Sequence, residues 1–309
     1  MAQAEDRSLQ SAGALEPRRR QRAYLLLVIA ILCFATIWPV TKIGLSGASP
    51  VWYAAGRMGM GAAVSFLLLA ATRQLRVPRR VDVPILLSIG VLQFAAFSAF
   101  SNLGLRYVPA GRSLVLAYTT TLWLVPLTLI VRERVGAWRA AGTLVGLAGI
   151  AVLFNPLALD WSDGRVVLGN MFLLLAALAW ALAIFHTRHH PWHMSPLQML
   201  PWQLLLATVL DVAFAYAAEP QGAIASTPTA LICLVYVGAL AGPLANWAAT
   251  SVARDLPMLT TSLGFLVVPV LGLAISALWL GEAITLSLAA GAALILCGLG
   301  LVTLGSVRA

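Results

Sequence analysis

Apolar residues run along this chain in blocks that end at a charge, a proline or a glycine instead of alternating with polar positions. A hydrocarbon core of about 30 Å takes about 20 residues of helix to cross, and backbone inside lipid must satisfy its own hydrogen bonds. The pattern predicts helices over residues 23–42, 50–71, 83–103, 109–131, 137–155, 166–187, 196–217, 228–247, 257–280 and 284–305. Membrane strands would alternate over about ten positions, and these blocks do not. The expected fold class is an all-α membrane protein of ten transmembrane helices.

Arginine and lysine in the connections give the orientation, because positive charge gathers on the cytoplasmic side. With a cytoplasmic N-terminus, only Lys42, Arg106, Arg112 and Arg165 fall outside, and Arg57 lies within a span. The rest of the 20 basic residues fall inside: Arg7, Arg18, Arg19, Arg20, Arg22, Arg73, Arg76, Arg79, Arg80, Arg132, Arg134, Arg139, Arg188, Arg254 and Arg308. Both termini are therefore expected in the cytoplasm. Residues 1–22 form a tail expected to be disordered, and 306–309 the other terminus. The run from Ala23 exceeds a signal-peptide core and has no small-residue cleavage site, so an uncleaved first span is expected.

Composition agrees: 61% of residues are hydrophobic, 10% are charged, and the mean hydropathy is +0.90. Soluble domains carry about 25% charged residues. A multi-pass protein of the cell (inner) membrane is expected, with the lipid bilayer as its surroundings. The net charge of +9 sits in the connections, which argues against nucleic acid as a partner. Cys33, Cys233 and Cys297 lie inside apolar runs, where they act as small hydrophobes without disulfide or metal spacing. No connection has room for a catalytic domain, and no motif calls for a cofactor.

The chain also repeats itself. At an offset of 149, Ser113 and Leu114 fall on Ser262 and Leu263, Glu133 on Glu282, Ala140, Ala141 and Gly142 on Ala289, Ala290 and Gly291, and Gly149 on Gly298. At an offset of 146, Thr41 and Lys42 fall on Thr187 and Arg188, and Pro50 on Pro196. Apolar helices match by chance, but charged residues are scarce here and the Glu–Gly–Gly correspondence is hard to dismiss. The halves are read as residues 23–155 and 166–305, joined by an external loop at 156–165. Five spans in each half reverse the second relative to the first. Such inverted repeats can rock about a midplane site and open it to each face in turn.

Particular residues carry a family resemblance as well. They are Trp38, Pro39 and Lys42, then Arg57, then Tyr107-Val108-Pro109-Ala110, and Pro269 ahead of Leu280-Gly281-Glu282, with the glycines of the fifth and tenth spans. Together they resemble the drug/metabolite transporter superfamily, EamA type, over nearly all of residues 23–305. That resemblance implies export of amino acids or other small metabolites and does not carry the substrate's identity. The first half departs from it: Thr120 stands opposite Pro269, Arg132 opposite Gly281, and Pro126 comes six residues later. The kink of the fourth span is therefore expected at a different depth from that of the ninth.

Ionisable residues within spans are costly and face a cavity or a partner. Arg57 and Asp211 are expected at similar depth. Either Arg57 meets a substrate carboxylate and Asp211 couples to protons, or the two form a structural pair, or Asp211 snorkels to the interface. Trp38, Gln93, Phe97, Tyr118, Thr119, Trp180, Gln203, Asn246 and Trp247 are the amphipathic candidates for a substrate cavity, with interhelical packing as the alternative for each. Gln203 is the repeat counterpart of Arg57. Pro39, Pro126 and Pro269 free carbonyls for substrate or simply kink their helices.

Gly142, Gly146, Gly149, Gly291, Gly298 and Gly300 suit close helix packing, with a homodimer seam as the other reading. Glu133 and Glu282 precede helices and read as structural. His186, His189, His190 and His193 read as a solvated basic connection, interrupted by Pro191, before they read as a metal site.

The leading expectation is thus a secondary carrier exporting a small metabolite by alternating access. No nucleotide-binding loop is present, so an ion gradient or exchange would drive it. An intramembrane enzyme would need paired acids or Ser with His at one depth, and only Asp211 is an acid within a span. A non-transporting scaffold or sensor would leave the polar interior an unexplained cost.

Overall fold

The computed structural model describes residues 17–132, 135–155 and 161–307. Among these, ten apolar helical stretches follow one another. They are α1 (Pro17–Gly44), α2 (Pro50–Ala71), α3 (Arg80–Tyr107), α4 (Ala110–Ile130) and α5 (Ala137–Leu153), then α6 (Gly164–Arg188), α7 (Pro196–Ala218), α8 (Pro228–Asp255), α9 (Leu259–Leu280) and α10 (Leu286–Val307). Nine are long and apolar enough to cross a membrane; α5, with 17 residues, is shorter than the span expected to reach residue 155. No strand occurs among the described residues. Residues 1–16, with Arg7, and Glu133, Arg134, Arg308 and part of the 156–165 loop lie outside them.

Local chemistry sets the starts. Pro50, Pro196 and Pro228 occupy first-turn positions of α2, α7 and α8, where a missing N–H costs nothing. The Thr227 hydroxyl accepts from the Ala230 nitrogen at 3.1 Å, and the Ser195 hydroxyl from that of Gln198 at 3.3 Å. The α1 helix begins at Pro17, so Pro17–Arg22 belong to it and not to a disordered tail.

The helices pair in a pattern that survives exchange of each for its counterpart five places on. The α2–α7 and α5–α10 pairs map onto themselves, α3–α6 onto α8–α1, and α4–α6 onto α9–α1. Glycines show the same relation at atomic scale. A Cβ on Gly142 would stand 2.6 Å from the Gly298 carbonyl, and one on its counterpart Gly291 would stand 3.1 Å from that of Gly149. A Cβ on Gly90 would meet the Gln203 carbonyl at 3.2 Å, and one on Gly238 would meet the Arg57 carbonyl at 3.1 Å. The α5 and α10 glycines are used within the chain, as packing residues.

Two irregularities also recur. Residues Ser88–Ala96 of α3 and Tyr236–Ala241 of α8 are wound as π-helix, a form often found at functional sites. The α4 helix breaks at Tyr118 and Thr119 (ψ −11° and −8°), and α9 breaks at Leu266 (ψ −17°). At the repeat offset these positions agree to within one or two residues, so the expected difference in depth is not observed. In α9, Pro269 follows the break. In α4, the Thr119 and Thr120 hydroxyls donate to the Leu116 and Ala117 carbonyls at 2.6 and 2.8 Å. Proline and threonine reach the same geometry by different routes.

Candidate functional site

Between α1, α2, α3, α4, α6, α8 and α9 lies a cavity of about 320 Å³, at the lower end of the range for small-molecule sites. The two π-helical segments bring Gln93 of α3 to its wall and end beside Gly242 of α8. The break in α4 sets Tyr118 and Thr121 against it. Trp38, Arg57, Gln93, Tyr118, Trp180 and Asn246, all expected, line it, as does Phe97.

Thr119, Gln203 and Trp247 do not. Thr119 is fully buried with its hydroxyl turned back onto its own helix. Gln203 is buried where α7 meets the π-helical part of α3, and its Nε2 has no hydrogen-bond partner. Trp247 is exposed on the outside of the bundle. The carbonyl freed by Pro39, that of Ala35, packs against Gly272 of α9.

Arg57 is pinned by its backbone against Gly238 while its side chain reaches the cavity. Among the described residues no hydrogen bond or ion pair within 4 Å engages its guanidinium. Asp211 is buried on the neighbouring α7 with Oδ2 unpartnered, and no ion pair within 4 Å joins it to Arg57. The direct-pair and snorkelling readings of Asp211 both give way to a buried carboxylate beside a free guanidinium.

The same cavity has an aromatic wall. Phe97 meets Trp180 edge to face at 4.5 Å between ring centres and Trp38 at 6.3 Å, with planes near perpendicular. The Asn246 amide donates to the Gly242 carbonyl at 2.9 Å, which leaves its oxygen for other partners.

Charged groups from separate helices seal the cavity's Pro50 end. Buried Thr41, Asn102 and Leu105 close it. Beyond them Lys42 donates to the Leu105 carbonyl and, at 3.0 Å, to that of Val108. Glu282 accepts from the Ala110 and Gly111 nitrogens at 2.6 and 2.9 Å, capping α4 and not its own α10. Glu219 does the same for α2, accepting from the Val51 nitrogen at 3.0 Å. Arg112, expected in an outer connection, is buried, donating to Asn170 Oδ1 at 2.9 Å and to the Leu153 carbonyl at 2.6 Å.

Asn102, Thr41 and Glu219 were not anticipated. A lone amide in an apolar block was the available signal for Asn102. The histidines cap the end of α6: His189 and His190 turn Nδ1 to the Phe185 and His186 carbonyls, and the His186 and His190 rings stack at 3.9 Å. Among the described residues no three potential metal ligands converge.

Comparison with known proteins decides the family. The model of the EamA-like transporter family matches residues 21–155 and again 167–304. The chain belongs to that family. It is a multi-pass membrane protein of the transporter class, and the family's model matches it twice. The uncharacterized transporter YoaV of Bacillus subtilis is 24% identical over 90% of this chain and 95% of its own. A probable terminal-alkyne amino-acid exporter of Streptantibioticus cattleyicolor is 26% identical over 84% of this chain and 86% of its own. A solved structure with 21% identity superimposes with a TM-score of 0.64, covering 91% of this chain and 98% of that one, and shares the fold.

Proposed function

We propose that the chain is a secondary carrier that exports a small amphipathic metabolite, such as an amino acid or related compound, across the cell (inner) membrane. In this reading all ten helices span, both termini are cytoplasmic, and the halves are inverted copies. The Pro50 end of the bundle then faces outward, and its seal describes a state closed to the outside. Alternating access would open that end and close the other. The exchange-symmetric helix pairing supports this, since each half then has an equivalent way to move.

One observation carries the reading: an arginine whose guanidinium makes no hydrogen bond or close ion pair among the described residues opens into a cavity that also has an aromatic wall. A cation inside the bundle without a direct partner is costly, and a substrate anion held between Arg57 and the Trp38–Phe97–Trp180 wall would supply one. Asp211, buried behind Arg57, is positioned to couple proton movement to that of the substrate. The test is flux from preloaded proteoliposomes containing the purified chain, with and without an imposed pH gradient. Solute release above that of empty vesicles supports the carrier, and its absence for every candidate solute favours a scaffold.

A further inference from the structure

The charge inventory of the cavity narrows the substrate further, an argument that rests on the carrier reading. Among the described residues lining the cavity, Arg57 is the one charged side chain, and no aspartate or glutamate reaches the surface. Asp211, the nearby acid, is 2% exposed and does not line the cavity. An α-amino acid carries its ammonium on the carbon next to its carboxylate, within about 4 Å of any cation that grips that carboxylate. With Arg57 as the grip, the ammonium would be held beside a like charge with no acid facing it. Neutral oxygens remain, among them those of Gln93, Tyr118, Thr121 and Asn246, but none of them carries a negative charge. The ammonium would find neutral acceptors and no countercharge.

The aromatic wall is the other half of the argument. Trp38, Phe97 and Trp180 all line the cavity and pack edge to face on one another, an aromatic surface suited to an apolar ring. Alone, such a wall would also attract an organic cation; the Arg57 charge in the same cavity opposes one.

We propose that the preferred substrate is an aromatic monocarboxylate without an α-ammonium group, its carboxylate on Arg57 and its ring on the Trp38–Phe97–Trp180 wall. Three probes separate the possibilities: 3-phenylpropionate, phenylalanine, which adds the ammonium, and phenethylamine, which lacks the carboxylate. Binding of each to the purified full-length chain is measured by equilibrium dialysis, alongside the thermal melt of every variant.

The expected order is 3-phenylpropionate at least tenfold tighter than phenylalanine, with phenethylamine weakest. Arg57→Gln should bring the first two within about twofold at an unchanged melting temperature. Equal or tighter binding of phenylalanine overturns the inference and leaves the carrier intact, and tighter phenethylamine makes the cavity a cation site. If none of the three binds to folded protein the inference also falls, and the proteoliposome flux then decides separately whether the carrier reading survives.

Discussion

Glu282 Oε1 lies 2.6 Å from the backbone nitrogen of Ala110, so a carboxylate from the second half closes the first turn of a helix in the first. The same residue reaches Gly111, and Lys42 secures the adjoining end of α3. Opening this end of the bundle requires these bonds to break.

Glu282→Ala should cost about 1–2 kcal/mol, the usual effect of losing an N-terminal cap, and Glu282→Gln less, since a neutral oxygen remains to accept. Thermal unfolding in detergent measures both. In a background lacking Cys33, Cys233 and Cys297, a cysteine at Thr41 should also react faster with a water-soluble maleimide once Glu282 is replaced. Unchanged labelling would mean that Glu282 supports the fold without holding the seal.

Along α10 two neighbouring glycines should behave differently. A Cβ on Gly298 would stand 2.5 Å from the Gly142 carbonyl, whereas one on Gly300 meets nothing closer than 3.9 Å. Gly298→Ala is expected to cost about 1–3 kcal/mol by overpacking, and Gly300→Ala to leave the melting temperature where it was.

Arg57 and Gln203 occupy equivalent places in the two halves and do different things. Arg57→Gln should lower flux at least tenfold, with Arg57→Lys between the two, because lysine keeps the charge and loses the planar fork. Gln203→Leu removes a buried amide nitrogen that has no partner, so it should keep flux and hold or raise stability. A large loss of flux in Gln203→Leu with the melting temperature retained would return that residue to the substrate path.

Much of this division was legible in the sequence and some was not. Polar groups within apolar blocks marked Trp38, Arg57, Gln93, Tyr118, Trp180 and Asn246, and each lines the cavity. Thr119 fails because the next residue on a helix points about 100° away, and Tyr118 already takes the inward position. The rotation of α3 could not be read from helical periodicity, since its π-helical turns shift the face that follows them. The break in α4 was also hidden: Pro126 drew attention, while two threonine hydroxyls bonding their own backbone accompany it. The glutamate caps escaped because they act on helices far away in sequence.

Asp211→Asn tests coupling apart from binding. The buried carboxylate has one oxygen without a partner, with Arg57 the nearby charge acting on it. The variant should remain folded and show flux that no longer varies with an imposed pH gradient. A wild-type gradient response in Asp211→Asn would move coupling elsewhere.

Orientation can be checked by single cysteines in the same cysteine-free background. One at Gln74 should be labelled only from the cytoplasm, and one at Ser226 only from outside. Reversal of either removes the inverted arrangement.

The glycine seam has a mechanical consequence. Backbones that touch at Gly142–Gly298 and again at Gly149–Gly291 cannot slide past one another or part without leaving a gap that no side chain fills. In the carrier reading the α5–α10 pair would therefore serve as a stationary keel. Any swing between faces would then be made by the other helices turning around it, and among the described residues none from that pair lines the cavity.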